Sequence, residues 1–193
     1  MTEAEFLHFE RQSPERHEFL AGEVYAMAGA TPVHAAIASD LLFALQSRLR
    51  NRRCQPFGND LRIRTPDTGL LTYPDLTVIC GPLEFAQGTE DTVTNPTVLL
   101  EILSESTEAW DRGGKFGSYR QLPSLREYVL ISQHEPRVEL FVRQTDGNWL
   151  LTDLFGLDHT LKLVSLGCEI PLGEIFTRIV FAPGKPRVAD PVS

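Results

Sequence analysis

The sequence predicts a mixed α/β (α+β) fold, a central mixed β-sheet flanked by helices and preceded by an N-terminal hairpin. Two observations lead there. Stretches with helical apolar spacing alternate with short extended runs, in the order helix, hairpin, helix, three strands, helix, strands. The composition, 42% hydrophobic and 23% charged over 193 residues, gives enough apolar surface for a substantial core.

Residues 3–12 read as a short helix. Arg16 to Tyr25 reads as a tight hairpin turning at Ala21-Gly22. Thr31-Pro32 signals a helix start, a threonine cap followed by proline at the first helical position. Ile37, Leu41, Leu42, Leu45 and Leu49 then give a helical stripe to about Arg50. Segments 55–64 and 71–80 flank the turn Pro66-Asp-Thr-Gly69 and predict a hairpin. Residues 81–96 read as a polar loop with room for one helical turn. Residues 97–103 are a strand, and 107–122 a helix ending before Pro123. Residues 126–132, 137–143 and 149–155 are strands, and 172–180 a closing helix. Residues 1–181 are expected to form one domain, and the Pro- and Val-rich tail 182–193 to be loose.

Composition narrows the function. The three cysteines, Cys54, Cys80 and Cys168, include no CxxC pair, so neither a zinc site nor a disulfide framework is expected, and a reduced cytoplasmic setting fits. No run is long and apolar enough to span a bilayer. A net charge of −8 argues against a surface that clings to nucleic acid throughout. It leaves room for a local basic groove, for which Arg48, Arg52, Arg53, Arg62 and Arg64 are candidates. Solvated helix and strand charge is an equally good reading of them.

Two acids sit inside apolar strands, Asp75 in Leu71–Cys80 and Glu101 among the leucines, valine and isoleucine of 97–103. A buried carboxylate needs a cation, a proton or dense hydrogen bonding. Alternation sets Tyr73, Asp75 and Thr77 on one face of their strand and Leu99, Glu101 and Leu103 on one face of theirs. If those faces align, the two carboxylates can meet at one divalent metal. Pro74 marks a strand start, an edge or a bulge beside Asp75. Farther on, Asp111, Lys115 and Tyr119 share a helix face. With three lysines against fifteen arginines, lysine at 115 hints that a compact ammonium is wanted. Spacing alone favours an exposed ion pair worth about a few tenths of a kcal/mol, and Gly113-Gly114 blurs the helix start.

These residues, taken in order, resemble the Uma-type restriction endonucleases of the PD-(D/E)XK nuclease superfamily. The carriers are Pro74-Asp75, Glu101-Ile-Leu-Ser-Glu-Ser-Thr107, Asp111-x-x-x-Lys115-x-x-x-Tyr119 and Glu127-Tyr128. The hairpin His17-Glu18-Phe-Leu-Ala-Gly22-Glu23-Val-Tyr25 and His34 belong to the same pattern, which runs from about residue 3 to 178. The superfamily places a lysine two residues after the second acid. Here that position is Leu103, so the chain resembles the variant whose lysine has migrated to the next helix, as Lys115.

The resemblance implies a restriction-endonuclease-like sheet and a metal-dependent DNA endonuclease. Asp75, Glu101 and the Ile102 carbonyl would hold Mg²⁺ or Mn²⁺, and Lys115 would complete the catalytic set. His34, Glu18, Asp111 and Tyr119 are accessory candidates. Taken singly, His34 reads first as a capping or core histidine, Glu18 as exposed strand charge and Tyr119 as core. Duplex DNA with two strands to cut implies a homodimer. The competing readings are a non-catalytic binding or regulatory module that keeps the nuclease fold, and a nuclease acting on RNA or a small phosphodiester.

Overall fold

The computed structural model describes residues 1–27, 29–181 and 185–190. Helix α1 (Glu3–Glu10) opens with a reciprocal capping box between Thr2 and Glu5. Strands β1 (His17–Leu20) and β2 (Glu23–Ala26) form the expected hairpin, with Ala21 and Gly22 at φ 52° and 93°. Helix α2 (Pro32–Leu49) starts at the predicted cap, where the Thr31 hydroxyl accepts from the His34 amide at 3.1 Å. Its stripe Ile37, Leu41, Leu45 and Leu49 is buried, while Leu42 is only partly so.

The segments around Pro66–Gly69 do pair, but each breaks in two, giving β3 (Cys54–Phe57), β4 (Arg62–Arg64), β5 (Leu71–Thr72) and β6 (Leu76–Cys80). β4 pairs with β5 beside the turn, and β3 with β6 farther away. The second break is Tyr73-Pro74-Asp75, where proline has no amide to give a ladder. The two halves therefore enter different sheets. With β7 (Thr92–Val93) the first sheet runs β2-β1-β5-β4-β7. With β8 (Val98–Leu103), β9 (Glu127–Ser132), β10 (Arg137–Arg143) and β11 (Trp149–Phe155) the second runs β11-β10-β9-β8-β6-β3. In the second sheet β8 and β9 are parallel and the other neighbours antiparallel.

The crossover from β8 to β9 comprises α3 (Glu108–Trp110), a π-helical segment Asp111–Lys115, and α4 (Phe116–Tyr119). It packs on Leu99, Leu103, Tyr128 and Leu130. The opposite face of the sheet, with Val98, Leu100 and Ile102, packs on α2 and on the later elements. Those are β12 (Thr160–Leu163), β13 (Cys168–Pro171), α5 (Leu172–Ile175), β14 (Ile179–Val180) and β15 (Arg187–Val188). Glu101 thus projects between Leu99 and Leu103 toward the crossover.

Several expectations are corrected. Loop 81–96 holds β7 and a bridge between Phe85 and Val93, not a helical turn. The helix expected to reach Leu122 ends at Tyr119. The closing helix is only α5, because Ile179 and Val180 pair as β14 with Val188 and Arg187. That pairing orders part of the tail expected to be loose; positions 182–184 and 191–193 lie outside the described residues. Cys54 and Cys80, opposite each other across β3 and β6, form a disulfide that their 26-residue separation did not announce. Cys168 is free and buried. No helix among the described residues is long and apolar enough to cross a membrane.

Candidate active site

The β6–β8 ladder ends with Leu76 opposite Leu100, which brings Asp75, one residue before it, beside Glu101 and Ile102. The break at Pro74 frees Asp75 to fold onto β8. Its Oδ2 accepts from the Ile102 amide at 2.7 Å, and its own amide donates to Glu101 Oε2 at 3.3 Å. The two carboxylates predicted to meet are therefore held side by side by backbone hydrogen bonds. The Ile102 side chain lies in the α2 core, so its backbone alone touches the site.

Lys115 arrives from the crossover. Its Nζ lies 3.3 Å from Glu101 Oε1, 3.0 Å from Asp111 Oδ1 and 3.0 Å from Glu18 Oε1. Lys115, Asp111 and Glu101 are 5%, 2% and 3% exposed, so Asp111 and Lys115 are not the surface pair that spacing alone favoured. Glu18 is buried too, 9% exposed, rather than the solvated strand charge expected on its own. It accepts from the Thr72 hydroxyl and from Trp110 Nε1, which stands 3.1 Å away. Tyr119 is core and hydrogen-bond donor at once: fully buried, its hydroxyl donates to Glu101 Oε1 at 2.8 Å.

The π-helical turn runs from Asp111 to Lys115, the two crossover residues that meet in the site. π-Turns inside helices concentrate at functional sites. Tyr128 secures this one, its hydroxyl donating to the Asp111 carbonyl at 3.0 Å. Gly114 is required here: a Cβ would stand 1.9 Å from the Trp110 ring. Its absence lets the indole cross the backbone and reach Glu18.

His34 comes from the first turn of α2 on the other face. Its Nε2 lies 3.1 Å from Asp75 Oδ1, while its buried Nδ1 has no hydrogen-bond partner among the described residues. Gln133, which the sequence did not flag, ties the same helix start to β8. It donates to the Leu103 carbonyl at 2.8 Å and accepts from the Thr31 hydroxyl at 2.7 Å. Trp110 and Thr72 were also missed. Each carries a polar atom that only the folded chain aims at Glu18.

Three carboxylates, of Glu18, Glu101 and Asp111, share one ammonium, with Asp75 beside them on His34. Burial above all, and then Asp111 and Asp75, push the Glu101 carboxyl up to about 8 against the pull of Lys115. Burial opposes the Lys115 charge, but Glu101, Glu18 and Asp111 outweigh it and hold its pKa above the ordinary lysine value. Burial raises Tyr119 and Tyr128 well above the ordinary phenol value, so both remain donors.

Among the described residues no three or more His, Cys, Asp or Glu side chains close into a metal cage. A Mg²⁺-type ion does not need one, since it usually takes one or two carboxylates and keeps water or phosphate in its other positions. The paired Asp75 and Glu101, with carboxylate charge in excess, fit that requirement.

Four of the five candidate arginines are engaged with other groups of the fold. Arg48 pairs with Glu174 at 2.8 Å, and Arg52 donates to the carbonyls of Leu166 and Gly167. Arg62 is buried against Asp91, Thr92 and Tyr73, and Arg64 is bonded to Glu3. Arg53 is exposed.

The family described as "Uma2: Putative restriction endonuclease" matches residues 3–173. Two proteins of Synechocystis sp. (strain ATCC 27184 / PCC 6803 / Kazusa) are similar in sequence. Uncharacterized protein slr1290 is 33% identical over 94% of each chain. Uncharacterized protein sll1609 is 37% identical over 81% of this chain and 88% of its own. A crystal structure from Anabaena variabilis ATCC 29413, described as a "putative nuclease belonging to DUF820", superposes with TM-score 0.74 and 19% identity. The match covers 92% of this chain and 98% of that one, and establishes a shared fold.

Proposed function

We infer that this chain, which belongs to the Uma2 family, is a metal-dependent endonuclease that hydrolyses phosphodiester bonds in DNA. The observation that carries the reading is the pairing of Asp75 with Glu101, with Lys115 3.3 Å from Glu101. Carboxylates in excess over ammonium make a buried site that favours a further cation.

Asp75, Glu101 and the Ile102 carbonyl would hold Mg²⁺ or Mn²⁺, which supplies Lewis acidity toward a phosphoryl oxygen and lowers the pKa of a bound water. The protein's own part is positioning. His34 and the Ile102 amide fix the Asp75 carboxylate. Tyr119 and Lys115 hold one oxygen of Glu101, leaving the other, Oε2, toward Asp75. Glu18 and Asp111 keep Lys115 protonated and in place. Its ammonium is then a fixed positive charge beside the paired acids, of the kind that stabilises negative charge developing on a phosphoryl group.

The test is conversion of supercoiled plasmid to nicked and linear forms in Mg²⁺ or Mn²⁺. Asp75→Asn, Glu101→Gln and Lys115→Met should each abolish the cleavage seen with the parent protein. Full activity in all three variants would sink the site. A parent protein that neither cuts DNA nor binds the ions would leave the cluster as the structural network of a non-catalytic module. Cleavage of RNA in preference to DNA would move the substrate.

A further inference from the structure

The two outer edges of the six-stranded sheet are built differently. The β3 edge carries Pro56, which has no amide to offer an incoming strand. The opposite edge, β11, has seven residues, no proline and no lysine or arginine, and among the described residues no other element pairs with its outer side. It also carries a run of exposed large apolar side chains. Leu150, Leu151, Phe155 and the adjoining Leu157 are 57%, 46%, 58% and 47% exposed, four within eight residues, against the pair Leu83 and Phe85 and single positions such as Tyr25, Phe43 and Val164. A long apolar edge without a blocking device is a template for another strand.

We propose that β11 is the homodimer interface, pairing antiparallel with β11 of a second copy about a two-fold axis at Thr152. The occupant follows from the sequence of the strand read against itself. In that register Trp149 meets the partner's Phe155, Leu150 meets the partner's Leu154, and Thr152 meets the partner's Thr152. Antiparallel partners share a sheet face, so the aromatic pair lies on one face and the leucine pair on the other. The one charge, Asp153, is already bonded to Arg137 at 2.8 Å and falls opposite the partner's Leu151. Moving the axis to Asp153 sets like charges against each other, and moving it to Leu151 sets Trp149 against aspartate. An unrelated peptide would have to match this pattern; a second copy does so by symmetry.

The union makes a twelve-stranded sheet. Seven strand spacings separate the two Glu101 positions, about 34 Å at ~4.8 Å per strand. No shared active site results, so the inference stands apart from the nuclease reading.

Sedimentation velocity on the full chain tests it. The parent protein should run at twice its 21.6 kDa. The double variant Leu150→Lys/Leu151→Lys should run at monomer mass with an unchanged circular dichroism spectrum, and Phe43→Lys should remain dimeric. Thr152→Cys provides a second readout that does not weaken the strand: its cysteine lies on the axis, so mild oxidation should yield a covalent dimer where Phe43→Cys does not. A monomeric parent protein, a dimer that survives the double lysine variant, or Thr152→Cys cross-linking no better than Phe43→Cys overturns the proposal.

Discussion

Lys115 Nζ stands 3.3 Å from Glu101 Oε1, although the two residues belong to different elements and no lysine follows Glu101 along its own strand. The crossover helix brings the ammonium back to the strand it has just left. The same ammonium lies 3.0 Å from both Glu18 and Asp111, so it is the hub of the buried charge.

Replacing that hub should be costly. Lys115→Met leaves three buried carboxylates without their shared cation, and urea unfolding at neutral pH should show a loss of about 3–5 kcal/mol. Lys115→Arg should not restore plasmid cleavage, because a planar fork does not fit three carboxylates grouped around one point. A Met variant with the parent urea midpoint would contradict this.

The raised Glu101 carboxyl sets a pH dependence with a definite sign. Its folded value of about 8 exceeds the ordinary 4.5, so between those values the folded chain holds a proton that the unfolded chain has released. This group's contribution to stability therefore falls as pH rises through that window and levels off above it. Lys115 stays charged throughout and does not reverse the sign. Relative to Glu101→Gln, the metal-free parent protein should lose on the order of a few kcal/mol between about pH 5 and 8.5. A constant difference between the two proteins would rule the assignment out. Mn²⁺ binding near neutrality should also release a proton, seen by calorimetry in buffers of different ionisation enthalpy.

His34 touches Asp75 from the opposite face of the sheet and holds its orientation. His34→Ala should weaken Mn²⁺ affinity by about 10–100-fold, the usual cost of removing a group that orients a ligand. The side chain is only partly buried, so stability should change much less. Unchanged affinity would make His34 a helix-start residue with no bearing on the site.

Adjacent glycines should behave oppositely. Gly114→Ala drives a methyl into the Trp110 ring and should destabilise by about 1–3 kcal/mol or more, also breaking the indole bond to Glu18. Gly113→Ala meets nothing within 4 Å and should be neutral, or stabilise by up to about 1 kcal/mol. Thermal unfolding of the pair decides, and equal effects would contradict the role given to Gly114.

The local signals were legible in the sequence. Strands 137–143 and 149–155 fall at their expected bounds, and the Thr31-Pro32 start of α2 lies where its capping chemistry places it. The Asp75–Glu101 pairing was legible because alternation fixes which residues share a face. The π-helical turn was not, since Gly113-Gly114 reads as a weak helix start until Trp110 is seen packed across Gly114. Nor was the burial of Glu18, which depends on Thr72, Trp110 and Lys115 converging from distant positions. Hairpin β12–β13 was missed because its strands have four residues each and turn through the 3₁₀ stretch Val164–Leu166 and a left-handed Gly167 at φ 58°. The segment 55–64 was expected whole because its break depends on which sheet each half joins.

The nuclease reading requires Asp75 and Glu101 to share a divalent ion beside Lys115. Anomalous diffraction from a crystal soaked in Mn²⁺ tests it most directly. One strong peak is expected at coordination distance from a carboxylate oxygen of Asp75 and one of Glu101, lost in Glu101→Gln. A peak elsewhere with this position empty, or one that persists in Glu101→Gln, would contradict it.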